Sequence, residues 1–258
     1  MQDLATHNPS PHPGRSPVFE ARKKGSKSPA CSSGGPAASV AYTIRFPDPA
    51  LHAAEITATI PTRGMATDLF MATWSPGYYH AQDYAKEVAE LTATASDKTP
   101  LKVDHPAQNR WHIPAHTGAS VRVTYLLHCE DRFVTTNWVG DDYAILCGPA
   151  TFITSTDTLD RPCTVRVELP PSWKQSFSGM PSSAPNIFRA ANFDQLADCP
   201  IAAGNFDTRE FTEGGKTHRI VNIGDQGTWK SDRAAADLQK IVAENLRFWG
   251  KLPYQSYT

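Results

Sequence analysis

The chain has 258 residues, 40% hydrophobic and 20% charged, enough for one large domain or one domain and part of a second. Its 25 basic and 26 acidic residues leave a formal net charge of −1, so the balance favours neither nucleic acid nor an acidic membrane as partner. Five scattered cysteines without a C-x-x-C pair argue against a disulfide framework and read as small buried hydrophobes.

Residues 1–38 are rich in Pro, Ser, Gly and charge and are expected to form a disordered tail, because they hold too little apolar surface to offset ordering. Its basic run, Arg22-Lys23-Lys24 with Lys27, has no interleaved aromatics for base stacking and reads as solvated charge. The first ~30 residues lack the apolar core of a secretory signal, and no later run approaches the ~20 apolar residues of a membrane span. As written, the chain is expected to be cytoplasmic.

From Ser39 the pattern has period two. Val40, Tyr42, Ile44 and Phe46 alternate with smaller or polar residues, and Ala54, Ile56, Ala58 and Ile60 repeat the pattern. Both read as half-buried antiparallel strands. Leu69 to Trp74 reads as a more continuous apolar strand. Val88–Ala95, Arg110–Ile113, Val121–Leu127, Tyr143–Cys147 and Cys163–Leu169 follow as strands between Pro and Gly breaks. Many short strands of this kind imply a sandwich or an open twisted sheet.

The stretch Trp74-Ser75-Pro76-Gly77-Tyr78-Tyr79 carries the most information. Pro76-Gly77 reads as a tight turn, and three aromatics crowd it. It is either a packed corner of a β-domain or the aromatic edge of a binding site.

Asp194 to Pro200 reads as a connector, after which Ile201 to Phe206 begins new structure. Strands near Phe206–Phe211 and Arg219–Ile223 are joined by Glu213-Gly214-Gly215-Lys216. Ser231 opens the one convincing helix, with Ser231 or Asp232 placed to accept its first free amides and Gly250 to stop it. Leu238, Ile241, Val242, Asn245 or Leu246, and Trp249 fall on one stripe.

No self-sufficient catalytic motif is present. His112 and His116 have zinc-ligand spacing, but Pro114 lies between them and no Glu follows His112. His128-Cys129-Glu130 has the H-x-E form of a zinc deaminase but lacks its P-C-x-x-C partner. Gly214-Gly215-Lys216-Thr217 lacks the leading glycine of a phosphate loop.

Four stretches nevertheless resemble, in order, the glycyl-aminopeptidase family of zinc metallopeptidases. Trp74-Ser-Pro-Gly-Tyr-Tyr79 with Asp83-Tyr-Ala85 resembles its W-x-P-G-S-Y…Y-A segment, with Tyr78 where Ser is usual. Tyr143-Ala-Ile-Leu-Cys-Gly-Pro149 resembles its strand ending in G-P. Phe193-Asp-Gln-Leu-Ala-Asp-Cys-Pro-Ile-Ala-Ala-Gly-Asn-Phe206 resembles its Y-D-x-L-x-D-S-P-I-x-x-G-x-F, the most specific of the four. Phe248-Trp-Gly-Lys-Leu-Pro-Tyr-Gln-Ser-Tyr257 resembles F-x-G-x-L-P-F-x-x-Y.

The resemblance covers roughly residues 39–258. It implies a mainly β fold: an antiparallel β-sandwich-like N-terminal domain at 39–200, then at 201–258 the first strands and one helix of a thermolysin-like α+β catalytic domain. That family's zinc lies on an H-E-x-x-H helix and a later Glu, positions that would follow Thr258. The resemblance therefore implies no catalytic residue, metal ligand or cofactor in this chain, and zinc only in a full-length member. It implies as partners the catalytic domain of the same polypeptide and, in the full enzyme, a peptide substrate. The chain is expected to be inactive alone, and the helix from Ser231 to be poorly buried. Tyr78 and Tyr79 are the substrate-side candidates, Tyr79 the better one. The alternative is a free-standing β-sandwich module binding protein or carbohydrate, with Trp74, Tyr78 and Tyr79 as a stacking platform.

Overall fold

A computed structural model describes residues 38–62, 66–224 and 227–258. The expected disordered tail lies outside the described residues, save for Ala38. The strands in chain order are β1 (Val40–Arg45), β2 (Ala53–Pro61), β3 (Thr67–Met71), β4 (Val88–Ala95), β5 (Pro100–Leu101), β6 (Asp104–Ala107), β7 (Arg110–Ile113), β8 (Ser120–His128), β9 (Trp138–Val139) and β10 (Tyr143–Leu146). After the short helix α1 (Gly148–Thr151) come β11 (Ile153–Ser155), β12 (Cys163–Glu168), β13 (Gln175–Ser178), β14 (Ser182–Ala184) and β15 (Ile187–Ala190). Helix α2 (Phe193–Asp198), β16 (Ile201–Gly204), β17 (Asp207–Glu213), β18 (Lys216–Asn222), α3 (Ser231–Trp249) and β19 (Ser256–Tyr257) complete the chain.

The largest sheet runs β14-β15-β12-β1-β2-β8-β4-β5. Its strands pair antiparallel except β1 and β12, which are parallel from Val40↔Cys163 to Arg45↔Glu168. Two four-stranded sheets, β11-β3-β7-β6 and β13-β16-β10-β9, accompany it. The mainly β, antiparallel, layered architecture read from the sequence is the one observed.

Alternation explains the layering. Val40, Tyr42 and Ile44 of β1, Val121, Val123, Tyr125 and Leu127 of β8, and Cys163, Val165 and Val167 of β12 all point inward. They share one core with Leu69 and Met71 of β3, Ile113 of β7 and Ile153 of β11. Each fully buried aliphatic side chain contributes about 1.5–3 kcal/mol.

The two layers are also tied by polar groups. The Tyr42 hydroxyl donates to the Ile153 carbonyl at 3.1 Å. The Tyr125 hydroxyl accepts from the Ile153 amide at 3.0 Å and donates to the Thr151 carbonyl at 2.7 Å. Two tyrosines of the large sheet thus hold both backbone groups of one residue in the facing layer. Burial pushes both phenols well above the usual tyrosine range.

Several local expectations shift. The apolar run from Leu69 leaves the strand at Met71, before Trp74. The segment read as a connector contains α2: the Asn192 side chain accepts from the Gln195 amide, and Gln195 Oε1 accepts from the Ala191 amide. The strand that begins at Ile201, β16, pairs with both β10 and β13.

Beyond it, β17 and β18 form a hairpin turned by Gly214 and Gly215, both at positive φ. Helix α3 packs on β17 and ends at Gly250 in the left-handed region. Its first turn is not held as expected. Lys230 occupies the cap position without a side-chain bond, and the Ser231 hydroxyl instead donates to Asp207. Arg209 bonds both Asp207 and Asp232, pinning the helix start to β17. Ser231 is the one buried residue of α3, while Ile241, Phe248 and Trp249 are 55%, 73% and 69% exposed. No helix among the described residues is long and apolar enough to cross a membrane.

Candidate functional site: an aromatic rim

The turn after β3 is built as its sequence implies. The Tyr78 amide bonds the Ser75 carbonyl at 3.1 Å, and Gly77 has φ +77°. Nothing lies within 4 Å of where a Cβ on Gly77 would sit, so glycine serves the backbone angle rather than close packing. Ser75 is the buried anchor. Its hydroxyl shares a 2.6 Å hydrogen bond with the Tyr84 hydroxyl and lies 3.7 Å from Cys147 Sγ. Burial raises the Cys147 thiol, which favours its neutral form over a nucleophilic thiolate.

The two tyrosine candidates part company at this turn. Tyr78 is half-buried, its ring 5.3 Å from His80 and 5.7 Å from Phe133. Tyr79 is 87% exposed, so it does not pack the corner beneath Trp74, which is itself 48% exposed.

Phe133 belongs to a second loop that the sequence reading passed over. The Thr136 hydroxyl knots this loop by donating to the Asp131 carbonyl at 2.9 Å and accepting from the Phe133 amide at 3.1 Å. Asn137 moors its far end. Nδ2 donates to the Ala150 carbonyl at 2.9 Å, and Oδ1 accepts from the Cys147 amide at 2.8 Å and the Thr151 hydroxyl. Phe133 and Val134 at the tip are exposed. The Arg132 guanidinium lies 3.8 Å from the centre of the Trp138 ring and 6.0 Å from that of Tyr143. Gly140 permits the indole's position, since a Cβ there would come within 2.9 Å of it.

These loops border separate clefts. One, of about 380 Å³, is lined by Arg132, Phe133, Trp138, Tyr143, Ile145 and Pro200. A second lies between Trp74, Pro76 and helix α2. A third is polar and carries Asp83, Glu87, Glu130 and Asp131. The aromatic rim offers ring faces, phenols and a guanidinium, which is chemistry for binding. His112, one of the tested metal candidates, sits 2.7 Å from Asp68. Among the described residues no three His, Cys, Asp or Glu side chains come together to hold a metal ion, so this donor set does not fit zinc. Loop 131–137 shows no alternation or motif; its one legible signal was an apolar Phe-Val pair among polar residues.

The Peptidase M61 N-terminal domain matches residues 41–205. Among solved structures, the chain is similar to an aminopeptidase N family protein from Idiomarina loihiensis, at 27% identity and a TM-score of 0.80, covering 85% of this chain and 38% of that one. Aminopeptidase A from Legionella pneumophila, solved with aspartic acid, shares 13% identity and a TM-score of 0.51 over 84% of this chain and 27% of its own, a likeness of fold alone. No curated protein matches the chain. The chain thus spans well under half the length of either relative.

Proposed function

The chain belongs to the peptidase family whose N-terminal domain matches residues 41–205, and from that membership we propose that it is the substrate-side β-domain of a zinc metallo-aminopeptidase acting on peptides. The observation that carries this reading is the rim itself. Trp74, Tyr79, Phe133 and Val134 stand exposed on two loops whose bases are fixed by buried hydrogen bonds. Rigid loops bearing exposed aromatics are suited to recognition. Zinc and its general base would come from a catalytic domain on the same polypeptide, and this chain alone would be inactive. Residues 206–258 would be the first part of that domain. The exposed Leu238, Ile241, Phe248 and Trp249 of α3 support this, because apolar side chains left bare on a helix call for a covering partner.

Tyr79 would offer its ring or hydroxyl to the peptide, and Tyr78 would hold the turn against Phe133. The test uses a polypeptide that also carries the zinc-binding half. Tyr79→Ala should lower kcat/KM by about fivefold, the loss of ~1 kcal/mol of contact. Its melting temperature should stay near the parent's, because an 87% exposed side chain contributes little to the fold. Unchanged kcat/KM in a well-folded variant, or a melted domain with unchanged kinetics, would defeat the proposal.

A further inference from the structure

We propose that the cleft under Arg132 is a carboxylate subsite that takes the C-terminal carboxylate of a short peptide ending in a large apolar residue. This rests on the reading of the rim as peptide-facing and goes beyond it by naming the group recognised. Arg132 follows Glu130 and Asp131 in the chain, yet it forms no ion pair or hydrogen bond with any described residue. Both acidic neighbours line the separate polar cleft. What holds the guanidinium is the Trp138 face, 3.8 Å away, with Tyr143 beyond.

A guanidinium centred over an indole ring and without a hydrogen-bond partner among the described residues keeps N–H donors for a ligand, and their fork matches the two oxygens of a carboxylate. Apart from Thr136, Tyr143 and Cys147 the rest of the cleft is apolar, with Phe133, Val134, Ile145 and Pro200, and no acidic side chain answers the charge from within. A C-terminal residue supplies a carboxylate and an apolar side chain at once, which suits a cleft of about 380 Å³ with one cation at its edge. An acidic side chain would bring the charge alone.

The probes are N-acetyl-Gly-Phe and its C-terminal amide, titrated into this chain while NMR follows the Trp138 indole N–H, assigned with Trp138→Phe. N-acetyl-Glu-Phe amide, which carries its carboxylate on a side chain, is the third arm. The free acid should bind about fivefold or more tightly than either amide, the scale of a partly exposed Arg–carboxylate pair. Arg132→Gln should erase the preference, and Arg132→Lys should keep part of it, since an ammonium supplies charge without the fork. The melting temperature of Arg132→Gln serves as the folding control, because Arg132 is exposed.

Equal affinity for acid and amide, a preference that survives Arg132→Gln, or no Trp138 shift with the acid would each overturn the subsite. Tighter binding of the glutamyl amide would overturn the choice of the C-terminal carboxylate. The Tyr79 kinetics decide the peptide-facing reading independently. Equal shifts with acid and amide would leave that reading standing while the subsite falls.

Discussion

Tyr125→Phe isolates the joint between the two layers, since the ring stays and the hydroxyl alone is lost. That hydroxyl accepts from the Ile153 amide at 3.0 Å and donates to the Thr151 carbonyl at 2.7 Å, in a side chain only 1% exposed. Both backbone groups lose that partner in a site closed to solvent. At ~1–3 kcal/mol for each buried group left unpaired, the combined cost is about 3 kcal/mol. Urea unfolding is the assay. With a slope of about 2 kcal/mol per molar, the midpoint should fall by about 1.5 M. Tyr42→Phe removes one bond, to the Ile153 carbonyl, and should cost ~1 kcal/mol. The double variant should depart from additivity because the two bonds share Ile153. A loss below about 0.5 kcal/mol for Tyr125→Phe, or a larger loss for Tyr42→Phe, would refute the clasp as a source of stability.

Two further outcomes follow from burial and from the cut between sheets. Burial pushes the Cys129 thiol up to about 12, whereas an unfolded chain loses that proton near ~8.5. Below the lower value the contribution is fully present. Between the two, the unfolded state sheds a proton that the folded state keeps, so stability should fall as pH rises, by ~1.4 kcal/mol per pH unit. Urea titrations across that range should show a shallower decline in Cys129→Ala, and an unaltered decline would exclude Cys129 as a source. Ending the chain after Asn205 should leave a folded, cooperatively melting β-domain that binds less hydrophobic dye. The ties lost are the Gln175 bond to the Phe206 carbonyl and the contacts of Phe177 with Phe206 and Arg219. A non-cooperative melt would make the last segment part of the core.

Much of this fold is legible because local alternation reports which face is buried. Tyr42, Val123 and Val165 point inward in the order their spacing implies. The Pro76-Gly77 turn and the Gly250 stop follow equally from backbone geometry. The parallel seam of β1 with β12 could not be read this way, since no local pattern distinguishes partners so far apart. Helix α2 is too short for a 3.6-residue period to emerge, although its Asn192 to Gln195 capping spacing was there to be read. The rim was half visible. Tyr78 and Tyr79 announce themselves beside a turn, whereas Arg132 and Trp138 meet only because Gly140 and the Asn137 bonds fold a patternless loop back on itself.

The parallel seam also dictates when the sheet can be sealed. Arg45 reaches its β2 neighbour Glu55 across 10 residues of chain and its β12 neighbour Glu168 across 123. On a ribosome adding ~5–20 residues per second, the second partner emerges about 6–25 s after β1 does. Through that interval the β12-facing edge of Val-Ala-Tyr-Thr-Ile-Arg stays open, a segment rich in strand-forming residues and thus a template for unwanted pairing. The edge of β1 is sealed only once β12 arrives. A nascent chain stalled before Cys163 should therefore recruit a chaperone, and one that carries the chain out through Ala190 should release it.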